Sequence, residues 1–572
     1  MGKESTHDAL VIGTGFGGLY ALYLLKQQGL DVKAIDTASD VGGTWYWNRY
    51  PGARSDVESH VYRYSWDKEL LLDKTLWTKN YLTQPELESY FQKVARKHDL
   101  YRHIQFNTDL VAAHWDNTAK LWIARTSSGD IFKVRYLIGA VGNLYKPNLP
   151  DWPGLDNNTF RGQIVHSSQW NPEKHNHIDK NVAVVGSGAS GVQLVGALAE
   201  KAKTLTHFVR HAQFVLPAAL RTVSDVERQT INDNYDRIWR QVFTSLSGMG
   251  FPEPARTVAS VSPEDREAIF QDLWTQGSGF RFLFGGFSDL VTDEKANQAA
   301  IDFIHRKIDS IVTDPKKAQV LKSTDWFARR PLTDDQYYNR FNQDNVFAVD
   351  LKQTPIVRVH ADSIETADGK HHPVDLIVLA TGFDAADGTY YRIDIRGKDG
   401  TTLKDHWSQG PKTHHGVSTS KFPNLFFVNG PGAPFASNPP VTEEGARFIA
   451  DLIARAEAHR TTTGSGTDNV VIESTRDAED AYTKDLHDAA DPTLFPRTKS
   501  WFFGENIPGR HVAPRFFFGG LSRYRAALAD IRERGYAGFD IETTRTVQTV
   551  QGQTQSQSRT LAEPSVAVRS HL

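Results

Sequence analysis

Two stretches of the chain carry glycines at the spacing that lets a backbone come up against a pyrophosphate: Gly13-Thr-Gly15-Phe16-Gly-Gly18 and Gly186-Ser187-Gly188-Ala189-Ser190-Gly191. The phosphate charge would rest on the amides at the start of a helix, and side chains in the turn would hold it away. The residue at the end of the next strand tells the two turns apart. Asp36 lies about 20 residues beyond the first glycines, where a carboxylate accepts the ribose hydroxyls of an adenine nucleotide. Arg210 and His211 stand at the matching place after the second, where an acid would repel a 2′-phosphate and a guanidinium pairs with it. The first cradle reads as a site for FAD and the second as a site for NADPH. The chain has no cysteine, which removes disulfides, thiolate metal sites and any dithiol relay, so redox chemistry must run on bound cofactors.

These residues require strand, turn and helix units to place them. Residues 9–12 are a short apolar strand, 19–28 have helical apolar spacing before Gly29, and 32–35 form a second strand ending at Asp36. Residues 182–186, the helix running through Gln193 and the strand 205–209 repeat the pattern. Two more apolar strands, 136–142 and 375–384, end in glycine, the latter through Ala380-Thr381-Gly382, and read as return strands where the chain passes between domains. From 224 to 323 the pattern turns helical, with a capping box at Ser224 and Glu227 and an N-cap followed by proline at Ser262-Pro263. The glycine-broken apolar run 277–286 inside it suits packing or a cavity wall. Gly42-Gly-Thr44-Trp45-Tyr-Trp47 through Tyr50-Pro-Gly52 to Asp56 is turn-rich, with large aromatics closed by an acid, unusual for a plain surface loop.

Between the cradles stands Phe160-x-Gly162-x-x-x-His166-x-x-x-Trp170. On its own it reads as a strand edge with a satisfied histidine. Flanked by the two glycine motifs, it resembles the fingerprint of the Baeyer–Villiger monooxygenases, flavoproteins that insert an oxygen atom beside a ketone, although Asn171 replaces the usual Pro or Asp after it. The resemblance covers about residues 7–540 and is nearest to the cyclohexanone and cycloalkanone branch. It implies an α/β fold of two Rossmann-like domains, the NADP domain inserted into the FAD domain, with an inserted helical lobe. It implies that Thr44, Trp45, Trp47, Asp56 and Tyr62 line the FAD, that Arg330 faces the flavin with Asp56 orienting it, and that Arg329, often Lys in relatives, takes the 2′-phosphate. Gln193, Thr381 and Trp501 would contact the coenzyme. Leu144, Phe251, Phe435 and Phe503 would form the ketone pocket, with Asn438 where cyclohexanone-type relatives often carry Leu. Phe160, Gly162, His166 and Trp170 would couple the domains without proton transfer. The implied reaction uses NADPH and O2 and runs through a flavin C4a-peroxide to a lactone or ester. Two other readings stand beside it: a heteroatom-oxidising flavin monooxygenase, which normally has Tyr or Phe in place of Trp170, and a non-catalytic NADP(H)-binding sensor, which would show a broken site.

A length of 572 residues exceeds what one core supports. The expected division is 1–145 and 381–543 for the FAD domain, 146–222 and 329–380 for the NADP domain, 223–328 for the helical lobe and 544–572, rich in Gln, Ser and Thr, for a disordered tail. A net charge of −3 with 39% hydrophobic residues gives a globular chain without a basic field for nucleic acid. No apolar run approaches the ~18 residues of a membrane span. The pairs His371-His372 and His414-His415 lack helical spacing and nearby acids, so they read as surface pairs and no metal is expected. Gly2 and Thr6 match a myristoylation pattern that is common by chance. The expected address is the cytoplasm, or the peroxisome through Ser570-His571-Leu572 if the source is eukaryotic. A monomer is compatible with all these features, and the oligomeric state is left open.

Overall fold

A computed structural model describes residues 2–546 except 74, 76, 459, 461 and 464–465, together with 556–560. The first sheet is built on Glu4–Ile12, which pairs in parallel with Val32–Ile35 on one side and Ile131–Gly139 on the other. An antiparallel meander, Leu110–Asp116, Leu121–Thr126 and Ile131–Gly139, extends it. Late strands Asp394–Arg396 and Leu425–Phe427 return to it. Helix Phe16–Gln27 turns its apolar side chains inward and packs on the long helix Asn438–Ala458. The second sheet is wholly parallel, in the order Val346–Asp350, Thr204–Val209, Asn181–Val185, Leu376–Leu379, Gln163–His166. Its strands are nearly continuous apolar runs because both faces are covered. Since strands of the first sheet come from both before and after those of the second, the second unit is inserted into the first.

The two passes between the units run side by side. Thr381 Oγ1 donates to Asn148 O (2.6 Å), Asn148 N to Gly382 O (2.9 Å) and Asp384 N to Lys146 O (2.9 Å). The result is a short antiparallel ribbon of 146–148 against 382–384. Between strand Thr204–Val209 and strand Val346–Asp350 lie the helices of the lobe, Asp225–Asp233, Tyr235–Thr244, Pro263–Gln276, Gly279–Phe284, Glu294–Ile311 and Pro315–Leu321. Ser224 and Ser262 cap two of them, accepting from Glu227 N and Asp265 N. The capping box expected at Ser224 is only half formed, because the Glu227 carboxylate turns to Arg221 at 2.6 Å.

Two expectations are corrected. His414 and His415 are no surface pair: His414 is buried against Phe539, and His415 stacks on Tyr482 with centroids 4.1 Å apart. The polar residue type suggested exposure, whereas aromatic neighbours distant in sequence decide burial. The chain also carries regular structure past 544. Strand Phe539–Thr546 pairs with Gly466–Ser474, and Ser556–Thr560 pairs back onto it. The partner edge at Thr544 and Arg545 comes from a segment more than 70 residues earlier, which composition does not encode. The terminal Ser570-His571-Leu572 lies outside the described residues. No helix among those described is long and apolar enough to cross a membrane.

Buried histidines give the fold a pH dependence. Burial pushes His166, His207 and His414 each down to about 4. An unfolded imidazole titrates near ~6.5, so as pH falls below that the unfolded chain takes up protons the folded one cannot. Stability is therefore complete above about 6.5 and lost progressively toward 4, by on the order of 2 kcal/mol per histidine at pH 5. The urea midpoint should drop clearly between pH 7.5 and pH 5.0, and equal midpoints would remove these groups from the account.

Candidate active site

The first cradle is tight because it has no side chain to spare. A Cβ on Gly18 would fall 1.9 Å from the Gly13 carbonyl oxygen, and Gly13 itself has φ +99°. Asp36 ends the second strand as expected, and it also holds the turn: Oδ2 accepts from Thr14 N and Thr14 Oγ1, both at 2.7 Å, and Oδ1 from Ala38 N at 2.9 Å. Burial raises its pKa. Its remaining lone pairs are what a ribose would meet. Phe16 anchors the start of the helix edge-on to Tyr62, Tyr64 and Phe91. The aromatic loop leans directly on this turn, since a Cβ on Gly43 would reach Gly15 Cα at 2.9 Å. Thr44 lies exposed at the start of the helical turn Thr44–Trp47, Trp45 packs edge-on to Tyr62 at 5.9 Å, and Trp47 to Tyr145 at 6.0 Å.

The second cradle repeats the geometry. Gly186 has φ +106°, and a Cβ on Gly191 would fall 1.9 Å from Gly186 O. At Gly188 an added Cβ meets no protein atom within 4 Å, so this glycine answers to something other than the protein's own packing. Helix Ala189–Leu198 starts here, and Ser187 Oγ donates to His211 O at 2.5 Å, tying the turn to the end of strand Thr204–Val209. Arg210, next along, is exposed. Arg329 lies 2.9 Å from Asp325, yet its buried Nε and Nη2 make no aligned hydrogen bond. Burial lowers its pKa, Asp325 offsets this, and the nearby charge of Arg210 lowers it further. Two guanidiniums brought together with donors to spare fit a 2′-phosphate dianion. The residues of both cradles therefore fit the dinucleotides that their sequence suggested.

Asp56 and Arg330, 274 positions apart by their numbering in the sequence, meet at 2.6 Å between Oδ2 and Nη2. The guanidinium also lies over the Phe280 ring, 5.9 Å from its centroid, and keeps partial exposure. Asp56 is positioned by the second unit as much as by the first. Tyr50 donates to Gln193 Oε1 (2.9 Å), Gln193 Nε2 donates to Arg54 O (3.2 Å), and Arg54 pairs with Asp334 at 2.8 Å. Gly52 is required where the loop crosses the helix, since its Cβ would meet Gln193 O and Ala197 Cβ at 2.9 Å. Gln193, expected among the coenzyme contacts, thus spends its side chain on the aromatic loop; it is buried on the helix face turned to that loop rather than to the turn.

The fingerprint residues hold the crossing ribbon. Gly162 passes the Asp375 carbonyl so closely that a Cβ would stand 2.2 Å from it. Phe160 fills the core behind Val185 and Leu379, and Trp170 is buried beside His175. His166 Nε2 donates to Gly382 O at 3.1 Å, while Nδ1 accepts from Ser168 N at 3.3 Å. With its pKa near 4 it stays neutral, which agrees with a coupling role and not with proton transfer.

The aromatic loop that the sequence marked through Trp501 and Phe503 closes over the same ribbon. Arg510 Nη2 donates to both oxygens of Asp384 at 2.7 Å, and its Nη1 to Asp387 at 3.0 Å. Asn506 donates to Phe383 O at 2.8 Å. Lys146 and Arg515 complete the charge network on Asp384 and Asp387. Arg510→Ala leaves each acid one cation, so the loss should stay below the ~3–5 kcal/mol of a fully orphaned buried charge. Chymotrypsin should then cut at Trp501, Phe502 or Phe503 at least tenfold faster in the native protein, at unchanged FAD content. Wild-type resistance in the variant would mean that the loop is held elsewhere.

The pocket residues come together in part. Phe435 contacts Phe280, Phe495, Phe502 and Phe518, and Phe503 stacks on Phe518 at 5.7 Å. This cluster reaches Ala328, two residues before Arg330. Phe251 lies under Arg281, whose partner is Glu58. Leu144 is half-buried on the crossing segment and joins no core cluster among the described residues. Trp501 is half-buried and edge-on to Phe516 at 5.2 Å. Asn438 is exposed at the start of helix Asn438–Ala458, its Oδ1 accepting from Asn429.

Comparison with known proteins agrees with this geometry. A profile of the family described as FMO-like, flavin-binding monooxygenase-like, matches residues 7–224. The chain is 45% identical over 94% of its length to a phenazine N-monooxygenase of Lysobacter antibioticus, covering 97% of that protein. It is 44% identical to a Baeyer-Villiger monooxygenase of Pseudooceanicola batsensis, over 93% of this chain and 96% of that one. Among solved structures, cyclohexanone monooxygenase from Rhodococcus sp. Phi1 bound to NADP+ superposes with a TM-score of 0.91 at 44% identity, covering 94% of this chain and 99% of the other.

Proposed function

The chain belongs to the Baeyer–Villiger monooxygenases, and from that premise we infer that it consumes NADPH and O2 to insert one oxygen atom beside the carbonyl of a ketone. With one proton taken up from solvent, the other oxygen leaves as water, NADPH becomes NADP+, and the product is an ester, or a lactone from a cyclic ketone. Bound flavin supplies the redox chemistry, accepting hydride and activating O2. The chain's residues bind, orient and shield. The cradle at Gly13 to Gly18 with Asp36 holds FAD, and that at Gly186 to Gly191 with Arg210 and Arg329 holds NADPH. As oxygen adds to the carbonyl carbon, its former carbonyl oxygen becomes an oxyanion, and a fixed cation beside it lowers that barrier. Arg330 is this cation, and Asp56 keeps it aimed. The aromatic cluster around Phe435 excludes water from the addition and favours an apolar, cyclic ketone. We place its work in the cytoplasm.

The observation that carries this reading is the Arg330–Asp56 ion pair, formed where the aromatic loop of one nucleotide unit is clamped to the helix of the other. The test is product analysis. Purified yellow protein with NADPH, O2 and a panel of cyclic ketones should give lactones at one NADPH each, with NADH a poor substitute. One observation favours a second reading, oxygenation of an aromatic ring nitrogen: the phenazine N-monooxygenase relative. Phenazine in the same assay decides it, since an N-oxide formed with no ketone turnover would overturn the ketone assignment.

A further inference from the structure

On the second unit, away from this site, a small antiparallel sheet joins Ile356–Val359, Ser363–Thr366 and His371–Pro373. Val359 and Ile364 face its buried side, and Glu365 lies directly across from His371 on the other. The turn closes through His360 N donating to Ser363 O at 2.8 Å, which swings the His360 ring over the same face. His360 Nε2 and Glu365 Oε2 are 2.7 Å apart, and the rings of His360 and His371 have centroids 4.9 Å apart. One ligating atom from each of His360, Glu365 and His371 lies within 4.8 Å of the others. The pair His371-His372 is thereby split. His372 turns to the opposite face and packs edge-on to Phe208 at 5.3 Å, while His371 is exposed. The acid missing near this pair in the linear sequence arrives through strand pairing.

We propose that His360, Glu365 and His371 form a binding site for one divalent transition-metal ion of the zinc, nickel and copper class. Two imidazoles and a carboxylate suit these borderline ions, whereas magnesium and calcium take oxygen donors. Ligand bonds of about 2.0–2.2 Å put donor atoms roughly 3.5 Å apart, so the rings need only a small inward swing from their present separation. The backbone already holds the three Cα positions, through the turn and the ladder. Ser363 Oγ lies 3.4 Å from His371 Nδ1 and can fix that ring's orientation. The cation opposing an ion here is Arg358, cross-strand from Glu365; metal binding replaces the hydrogen bond between His360 and Glu365. A fourth position remains open to water. Held by three protein ligands, the ion would staple the turn to two strands, and it takes no part in oxygenation.

The test uses the full FAD-loaded chain without a histidine tag. Zinc chloride titrated by calorimetry at pH 7.5 should give one site with micromolar affinity, and His371→Gln and Glu365→Gln should each weaken it at least tenfold. Zinc should raise the thermal midpoint of wild type and not that of His371→Gln, because binding to the folded state stabilises it. Product formation should be the same with zinc or with EDTA. Absence of a micromolar site, or a site of unchanged affinity in His371→Gln, would overturn the proposal and leave the His360–Glu365 pair as a surface ion pair.

Discussion

Arg330→Ala should retain FAD, bind NADPH and be reduced at close to the wild-type rate, yet form product roughly 10²–10³-fold more slowly, with the oxygen it consumes returning as hydrogen peroxide. Hydride transfer needs only coenzyme and flavin, whereas the oxyanion of the carbonyl adduct needs a fixed charge beside it. Arg330 is that charge, held by Asp56 at 2.6 Å. Removing it leaves Asp56 partly buried without its partner, so a fall in activity could reflect a displaced loop. Arg330→Lys separates the causes: it keeps the charge for Asp56 but loses the planar fork, and should still fail in product formation. Anaerobic stopped-flow reduction, oxygen uptake, peroxide titration and product analysis read the four quantities apart. Near-normal ester formation by Arg330→Ala would take this residue out of the mechanism.

The features of this protein that are legible in its sequence are those a short run of backbone encodes. Gly18 and Gly191 were legible because each answers to a carbonyl five residues before it, Gly13 and Gly186 because the turn holds them at φ +99° and +106°, and Asp36 because strand, turn, helix and strand succeed one another without interruption. Arg329 and Arg330 stood out only through family resemblance, since two adjacent arginines carry no local signal. The clamp of the aromatic loop was not legible. Tyr50 meets Gln193 at a separation of 143 residues, Arg54 meets Asp334 at 280, and Arg510 meets Asp384 at 126. The first two pairs arise from how the inserted unit sits on its host and the third from a late loop folding back onto the crossing ribbon, which no local pattern encodes. The same holds for His414, buried by Phe539, and for Glu365, brought to His371 by a hairpin. Phe280, which underlies Arg330, lay in a run legible only as packing or a cavity wall.

The separateness of the two cradles gives the sharpest expectation. A Cβ at Gly18 or at Gly191 would stand 1.9 Å from a carbonyl oxygen of its own turn. That overlap is more than 1 Å inside any tolerable contact, and the atom in the way is backbone, so the turn must open and the helix amides leave the phosphate. Gly18→Ala should therefore be recovered without flavin, colourless and less stable. Gly191→Ala should stay yellow, because its turn belongs to the inserted sheet, while its Michaelis constant for NADPH rises at least a hundredfold and reduction by dithionite remains normal. Gly188→Ala isolates ligand contact from folding, since no protein atom lies within 4 Å of the added Cβ. It should melt with the wild type and still lose NADPH affinity at least tenfold. Absorbance of the purified proteins, thermal melts and NADPH saturation curves test all three. Flavin retained in full by Gly18→Ala, or wild-type NADPH saturation in Gly191→Ala, would mean that the nucleotides are not held at these turns.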